Sequence, residues 1–274
     1  MADRLIRTIR ENYDRLAKEY ALHLFDELQH KPLDLELLTS FADQTRTRGK
    51  VCDLGCEPGH VTRFLNDLRV SVFGIDVSSL MVTEARRRNP GPEFHGEDML
   101  ALDLAPDSLA GIVAFYATVN LPRGRLAMAF SQMWRVLQPN GLLLMAFHVG
   151  DEIVRPPELW GVPVTMDFYL HSPDNVCASL EAAGFGVEDI AEREPTPRLN
   201  TKVGVLISSR ASAMPSRKGL NSVESCSFAR SKSLITDCSI RGHGHAENLR
   251  TEDGCWGRDR LARDRFPTEQ LRAR

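Results

Sequence analysis

No stretch of this 274-residue chain stays apolar long enough to span a bilayer. The first residues, Met1-Ala2-Asp3-Arg4, are charged and then amphipathic, which argues against a secretory leader. Cysteine is sparse: six residues (52, 56, 177, 226, 238 and 255) with no paired spacing. A disulfide framework is thereby disfavoured, and reduced thiols in a cytoplasmic protein are expected. An excess of positive charge is also missing. The whole chain is −3; residues 211–274 hold 12 Lys and Arg against 8 Asp and Glu, which leaves residues 1–210 at −7. An acidic main body lacks the general electrostatic footprint of a nucleic-acid binder, so a small substrate is expected, and no membrane partner. With 42% apolar and 26% charged residues, the composition suffices for one sizeable core. Nothing in it fixes an oligomeric state.

The most informative segment is Val51-Cys52-Asp53-Leu54-Gly55-Cys56-Glu57-Pro58-Gly59-His60. It reads as a buried strand entering a glycine turn that opens a helix. The next apolar run, 70–77, closes on Asp76. A strand, a glycine turn, a helix and a second strand tipped by a carboxylate form a nucleotide-type site. The glycines allow a ligand near the backbone, and the carboxylate can accept from two ribose hydroxyls. The dinucleotide fingerprint G-x-G-x-x-G is absent: the spacing is Gly55-x-x-x-Gly59, with Glu57 between. That carboxylate would repel a pyrophosphate, so a nicotinamide cofactor ranks behind other nucleotides.

Strand and helix patterns alternate along the chain. Tyr13, Leu16, Ala17, Tyr20 and Leu24 share one helical stripe, and a second helix is expected over 33–41. Val61, Phe64, Leu65 and Leu68 mark the helix after the glycine turn. Ser78 is a good N-cap for the next helix, which Asn89-Pro90-Gly91-Pro92 stops. Further strands are expected over 93–96, 111–117 and 142–148, with Asn140-Gly141 as the turn into the last. Five short strands alternating with helices predict a doubly wound parallel α/β sheet. Ser172-Pro173-Asp174 opens another helix, ended by Gly184. Residues 185–192 and 203–208 read as two strands joined by a Pro-rich turn, and 162–169 as a short strand or a substrate-covering insertion.

The ordered set of motifs resembles the class I S-adenosylmethionine-dependent methyltransferases. Asp53, Gly55 and Gly59 match their first motif, D-x-G-x-G-x-G, and Glu57 stands at the middle glycine. Phe73-Gly74-Ile75-Asp76-Val77-Ser78 is similar to the second strand with its ribose-binding acid. Gly96-Glu97-Asp98-Met99-Leu100 is similar to the third strand end, and Gly111-Ile112-Val113-Ala114-Phe115-Tyr116 to the fourth strand. The run from Trp134 to Leu142 resembles the turn before strand five, and Tyr13-Asp14-x-x-Ala17-x-x-Tyr20 the lid helix of small-molecule members. The resemblance covers roughly residues 10 to 210. It implies a Rossmann-like, seven-stranded, mostly parallel sheet with a C-terminal antiparallel hairpin. A helical cap would occupy residues 1–49 of a methyltransferase domain spanning 1–210. It also implies S-adenosyl-L-methionine as cofactor and methyl transfer to a small molecule.

Under that resemblance Gly55, Cys56 and Gly59 offer backbone to the methionyl part, and Asp53 holds the loop or the cofactor ammonium. Asp76 with Val77 takes the ribose side, Asp98 and Met99 flank the adenine, Tyr13 and Tyr20 close over the cofactor, and Tyr116 and Asn120 bracket the substrate-facing loop after strand four. Each acid has a plainer reading, as a solvated strand end or a turn residue, and the tyrosine stripe as packing. His148 and Tyr116 are candidate catalytic residues facing substrate; a polar strand end is the plain alternative for His148. Where similar members often carry His, this chain has Asn120. Glu57 leaves two readings open: an active enzyme, or a ligand-binding or regulatory protein on the same fold with impaired catalysis. The tail over 211–274 has only 10 Leu, Ile, Val and Phe in 64 residues and no period, so low order is expected. His243 and His245 near Cys238 and Cys255 fit no usual zinc spacing, and no metal is expected.

Overall fold

The computed structural model describes residues 4–193 and 203–210. The tail over 211–274, the Pro-rich turn before the last strand and the histidines and cysteines considered for zinc lie outside the described residues. A long helix, α1 (Arg4–His23), leads through a single 3-10 turn (Glu27–His30) to α2 (Pro32–Thr45). An alternating series follows: β1 (Lys50–Leu54), α3 (His60–Asp67), β2 (Val72–Asp76), α4 (Ser79–Arg88), β3 (Phe94–Gly96), β4 (Leu109–Phe115), α5 (Arg123–Val136) and β5 (Leu137–His148). Four two-residue strands, β6 (Ile153–Val154), β7 (Glu158–Leu159), β8 (Val162–Pro163) and β9 (Phe168–Tyr169), precede α6 (Pro173–Ala182). The hairpin strands β10 (Phe185–Arg193) and β11 (Val203–Arg210) end the described chain.

The main sheet has seven strands in the order β10-β11-β5-β4-β1-β2-β3. β3, β2, β1, β4 and β5 run parallel, whereas β11 is antiparallel to both β5 and β10. The chain steps outward from β1 through β2 to β3, then returns to place β4 on the other side of β1. Their carboxyl ends therefore diverge between β1 and β4 and leave a crevice.

Alternation within the strands divides the core into two layers. Cys52, Leu54, Ile75, Ile112, Met145 and Phe147 pack toward Leu126, Phe130 and Met133 of α5 and Val176 and Leu180 of α6. Val51, Val72, Val113, Leu144 and Val205 pack the opposite way, toward Leu38 and Phe41 of α2 and Val61 and Leu65 of α3. Burial on both faces follows from helices on both sides of a parallel sheet.

Three local readings change. β5 begins at Leu137 rather than 142, because its pairing with β4 jumps from Leu109↔Leu137 to Gly111↔Leu142. The expected Asn140-Gly141 turn is thus the apex of a bulge inside the strand, with Asn140 at φ 60°. The second helix extends past Phe41 to Thr45, and Pro32 occupies its first turn, where a missing N–H costs nothing. The segment 153–169 is two small antiparallel pairs, β6·β9 and β7·β8, rather than one strand.

Candidate active site

A cavity partly open to solvent lies at the crevice of the sheet. Leu54 and Gly55 line it from β1 and the following turn, and Ile75, Asp76 and Val77 from β2. Glu97, Asp98 and Met99 come from the β3 end, and Tyr116, Ala117, Asn120 and Leu121 from the segment after β4. Ile6, Ile9 and Tyr13 of α1 form the remaining wall.

The loop after β1 is held by the backbone. The N–H groups of Gly55 and Cys56 both donate to the Ile75 carbonyl, and that of Gly59 to the Cys56 carbonyl. Gly55 has φ 73°, and a Cβ there would stand 2.7 Å from Ala117 Cβ, so both backbone conformation and space require glycine. Gly59, at φ 84°, is the N-cap of α3 and packs against Asn89 and Phe94. Glu57 also occupies left-handed backbone, φ 51°, which costs a non-glycine residue about 1–2 kcal/mol. Tyr116 does the same at φ 56°. Two strained residues thus meet in one cavity, a placement associated with functional sites.

Asp76 is organised from both sides. Its Oδ1 accepts from the Ser78 N–H at 2.8 Å and its Oδ2 from the Glu57 N–H at 3.0 Å. Burial still outweighs these bonds and raises its carboxyl to about 6. Asp53 is similarly raised to about 6 by burial, partly countered by the Thr62 hydroxyl that donates to Oδ2 at 2.6 Å. Burial, together with the facing carboxylates of Glu27 and Asp76, holds Glu57 well above the usual carboxylate range.

Next to the loop, Lys31 Nζ lies 2.9 Å from Glu27 Oε2 and 4.0 Å from Asp34 Oδ2, and 4.8 Å above the Tyr116 ring. Glu27 Oε1 is 3.2 Å from His60 Nε2. Burial pushes the Glu27 carboxyl up, but Lys31 and His60 prevail and bring it down to about 2. Tyr116 also stacks on His148 at 4.9 Å between centroids, 29° between planes.

Tyr13 donates its hydroxyl to Asn120 Oδ1 at 2.8 Å, and Asn120 Nδ2 donates to the Asp167 carbonyl. The helix α1, the segment after β4 and the insertion 153–169 are therefore bonded together along one edge of the cavity.

Of the residues expected at a cofactor, the cavity brings together Tyr13, Gly55, Asp76, Val77, Asp98, Met99 and Tyr116. Asp53, Cys56 and Gly59 do not line it. Asp53 is engaged by Thr62 behind the loop, and Cys56 packs with Val82, Ala85 and Phe94. His148 does not line the cavity but stacks on Tyr116, which does. Sequence reasoning passed over Ile6, Ile9 and the Glu27–Lys31–His60 cluster. The i,i+4 spacing of Glu27 and Lys31 was a visible signal of an ion pair, though not of its burial.

Residues 51–141 match the family model of the methyltransferase domain. Over that span the chain carries a methyltransferase domain. It is 27% identical over 156 residues to a malonyl-[acyl-carrier protein] O-methyltransferase of Enterobacter lignolyticus (strain SCF1), covering 54% of this chain and 56% of the relative. Against a trans-aconitate 2-methyltransferase of Acidovorax sp. (strain JS42) the identity is 27% over 172 residues, covering 60% and 64%. The chain thus spans less than two thirds of these relatives' length. A crystal structure of a methyltransferase from Methanosarcina mazei shares the fold of this domain: TM-score 0.53, 19% identity, 59% of this chain and 92% of that one.

The residues present fit an adenosyl sulfonium group. Gly55 leaves backbone bare at the cavity wall, where a Cβ would collide with Ala117. Ile75, Val77, Met99 and Leu121 supply apolar walls for a base, and Asp76 a buried acceptor for hydroxyls. The lining holds four carboxylates (Glu57, Asp76, Glu97 and Asp98) and no Lys, Arg or His, which suits a cationic ligand.

Proposed function

We propose that this protein transfers the methyl group of S-adenosylmethionine to a small-molecule acceptor. The observation that carries the reading is the convergence of Gly55, Asp76, Asp98 and Met99 on one cavity at the carboxyl ends of β1, β2 and β3. When bound, the sulfonium supplies an electrophilic methyl, so the protein's part is alignment and exclusion of water. Asp76 would hold the ribose hydroxyls, its orientation fixed by the Ser78 and Glu57 amides. Asp98 and Met99 would flank the adenine, with Gly55 beside the methionyl chain. Tyr13, fixed by Asn120, would cover the cavity, and α1 with α2 would form a cap over residues 1–49 of a domain ending near 210. Tyr116 and its partner His148 would face the acceptor.

The small acceptor named for one group of relatives, trans-aconitate, supports a small molecule here, and the −7 charge of residues 1–210 argues against nucleic acid. Among the described residues no helix is long and apolar enough to cross a membrane. Cys52 and Cys56 are free and buried, which fits a cytoplasmic setting.

The test is a thermal-shift titration with S-adenosylhomocysteine and NAD, followed by transfer of labelled methyl into a metabolite extract. The reading predicts stabilisation by the first ligand alone and a labelled small product. Stabilisation by neither would favour the non-catalytic alternative, and stabilisation by NAD would sink the methyltransferase reading.

A further inference from the structure

Four carboxylates line the cavity, and three are already engaged. Asp76 accepts from the amides of Glu57 and Ser78, Asp98 from that of Leu100 and Glu97 from that of Asp103. Among the described residues, the Glu57 carboxylate accepts no hydrogen bond. The nearby cation, Lys31, is committed to Glu27 and Asp34. Glu57 thus brings an uncommitted carboxyl group to a wall of the cavity, on left-handed backbone that glycine would occupy without strain.

We infer that Glu57 determines charge specificity at this site: its carboxylate favours the cationic sulfonium donor over the neutral thioether that remains after methyl transfer, and so promotes product exit. The inference rests on the cofactor assignment proposed above. Donor and product differ by one methyl and one positive charge at sulfur. The adenine, ribose and amino-acid portions are common to both, so Asp76, Asp98 and Met99 cannot separate them by charge at the reacting atom. Discrimination by charge is served by a carboxyl group in the same cavity that can ionise against the sulfonium, and among the described residues Glu57 is the one that accepts no hydrogen bond from the protein.

The groups facing Glu57 are Tyr13 and Tyr20 of α1, Glu27 and Lys31 of the following segment, Asp53 and Cys56 of β1 and its loop, and Asp76 of β2. Burial first, then the carboxylates of Glu27 and Asp76, raise the Glu57 carboxyl in the ligand-free site and so favour its protonated form. Arrival of a sulfonium offsets that repulsion. The carboxyl proton leaves to solvent, and the carboxylate remains beside the cation. Departure of the methyl removes the cation, and the carboxylate takes a proton back.

Calorimetric titration tests this without reference to turnover. The wild-type chain and Glu57→Gln are titrated with S-adenosylmethionine and S-adenosylhomocysteine at pH 7, in buffers of low and high ionisation heat. Wild type is expected to release more proton with the methylated ligand than with the demethylated one. Glu57→Gln should abolish that difference and reduce the preference for the methylated ligand by about tenfold, as one lost charge–charge contact in a half-buried site predicts. If both ligands bind but the preference is unmoved by Glu57→Gln, the inference fails while the cofactor assignment stands. Equal proton release by the two ligands in wild type overturns it without any variant. If neither ligand binds wild type, the cofactor assignment falls and takes the inference with it.

Discussion

Glu57 loads the glycine turn twice, once through its backbone and once through its charge, and the two can be separated by substitution. Glu57→Ala removes the carboxylate but keeps a Cβ on left-handed backbone at φ 51°. Glu57→Gly also relieves the conformation, for a further gain of about 1 kcal/mol. Both variants are expected to melt above wild type at pH 7, glycine highest, in a thermal unfolding series. A melting order with wild type on top would show that the side chain makes a stabilising contact. Lys31 has the opposite character. It neutralises the buried carboxylates of Glu27 and Asp34, so Lys31→Met leaves them uncompensated. A loss of about 3–5 kcal/mol is expected by urea denaturation; a loss below 1 kcal/mol would mean that solvent reaches the pair. At this scale the sequence was only partly legible. Motif spacing located the loop, but which loop side chain faces the ligand depends on local dihedrals. Cys56 turns into the Phe94 cluster, whereas Glu57 turns to the cavity.

Between elements, the decisive joint is α1 against α4. Asp14 Oδ1 accepts from the Ser78 hydroxyl at 2.6 Å and the Leu80 amide at 3.1 Å, and Ser78 Oγ in turn caps α4 through the Met81 amide at 3.1 Å. Arg10 adds a bond to the Val77 carbonyl at 3.0 Å. One hydrogen-bond network therefore ties the cap helix to the strand end that carries Asp76. Asp14→Ala should loosen α1, expose the Tyr13 wall and weaken S-adenosylhomocysteine binding several-fold. Limited proteolysis within the first 23 residues should report it; unchanged cleavage and affinity would show that packing alone seats the helix. Element identity was legible wherever periodicity had room. The core strands, the Ser78 cap and the hairpin followed from alternation and capping chemistry. The pairs β6·β9 and β7·β8 were not legible as such, since two residues carry no period. The bulge in β5 was hidden because Asn-Gly signals a turn without saying whether pairing resumes beyond it.

Across the molecule, the order of the strands explains why an acidic cavity sits in the core of the sheet, and that placement has a cost in pH dependence. The α/β alternation made the doubly wound sheet legible. The burial of its acids was not, because burial is decided by α1, α2 and the 153–169 insertion closing over the strand ends. In the folded chain Asp53 and Asp76 hold their protons up to about pH 6, and burial raises Glu57 in the same direction. Unfolded, each would release its proton near pH 4. The folded state binds these protons more tightly, so their effect is to lower stability as pH rises from about 4 through 6 and beyond. For Asp53 and Asp76 the loss is on the order of 2–3 kcal/mol each by pH 7. Glu27 works in the other direction: its carboxyl sits at about 2, so its contribution is present above its unfolded value and lost as pH falls toward 2. The ligand-free protein should therefore be most stable near pH 4 and weaken as pH rises through 6 toward 8. Asp53→Asn keeps an acceptor for the Thr62 hydroxyl but carries no titrating proton. Its melting temperature should exceed that of wild type at pH 8, and the gap should close by pH 4. A gap that is constant from pH 4 to 8 would mean that Asp53 titrates alike in the folded and unfolded chain, and that the cavity floor is wetter than its burial indicates.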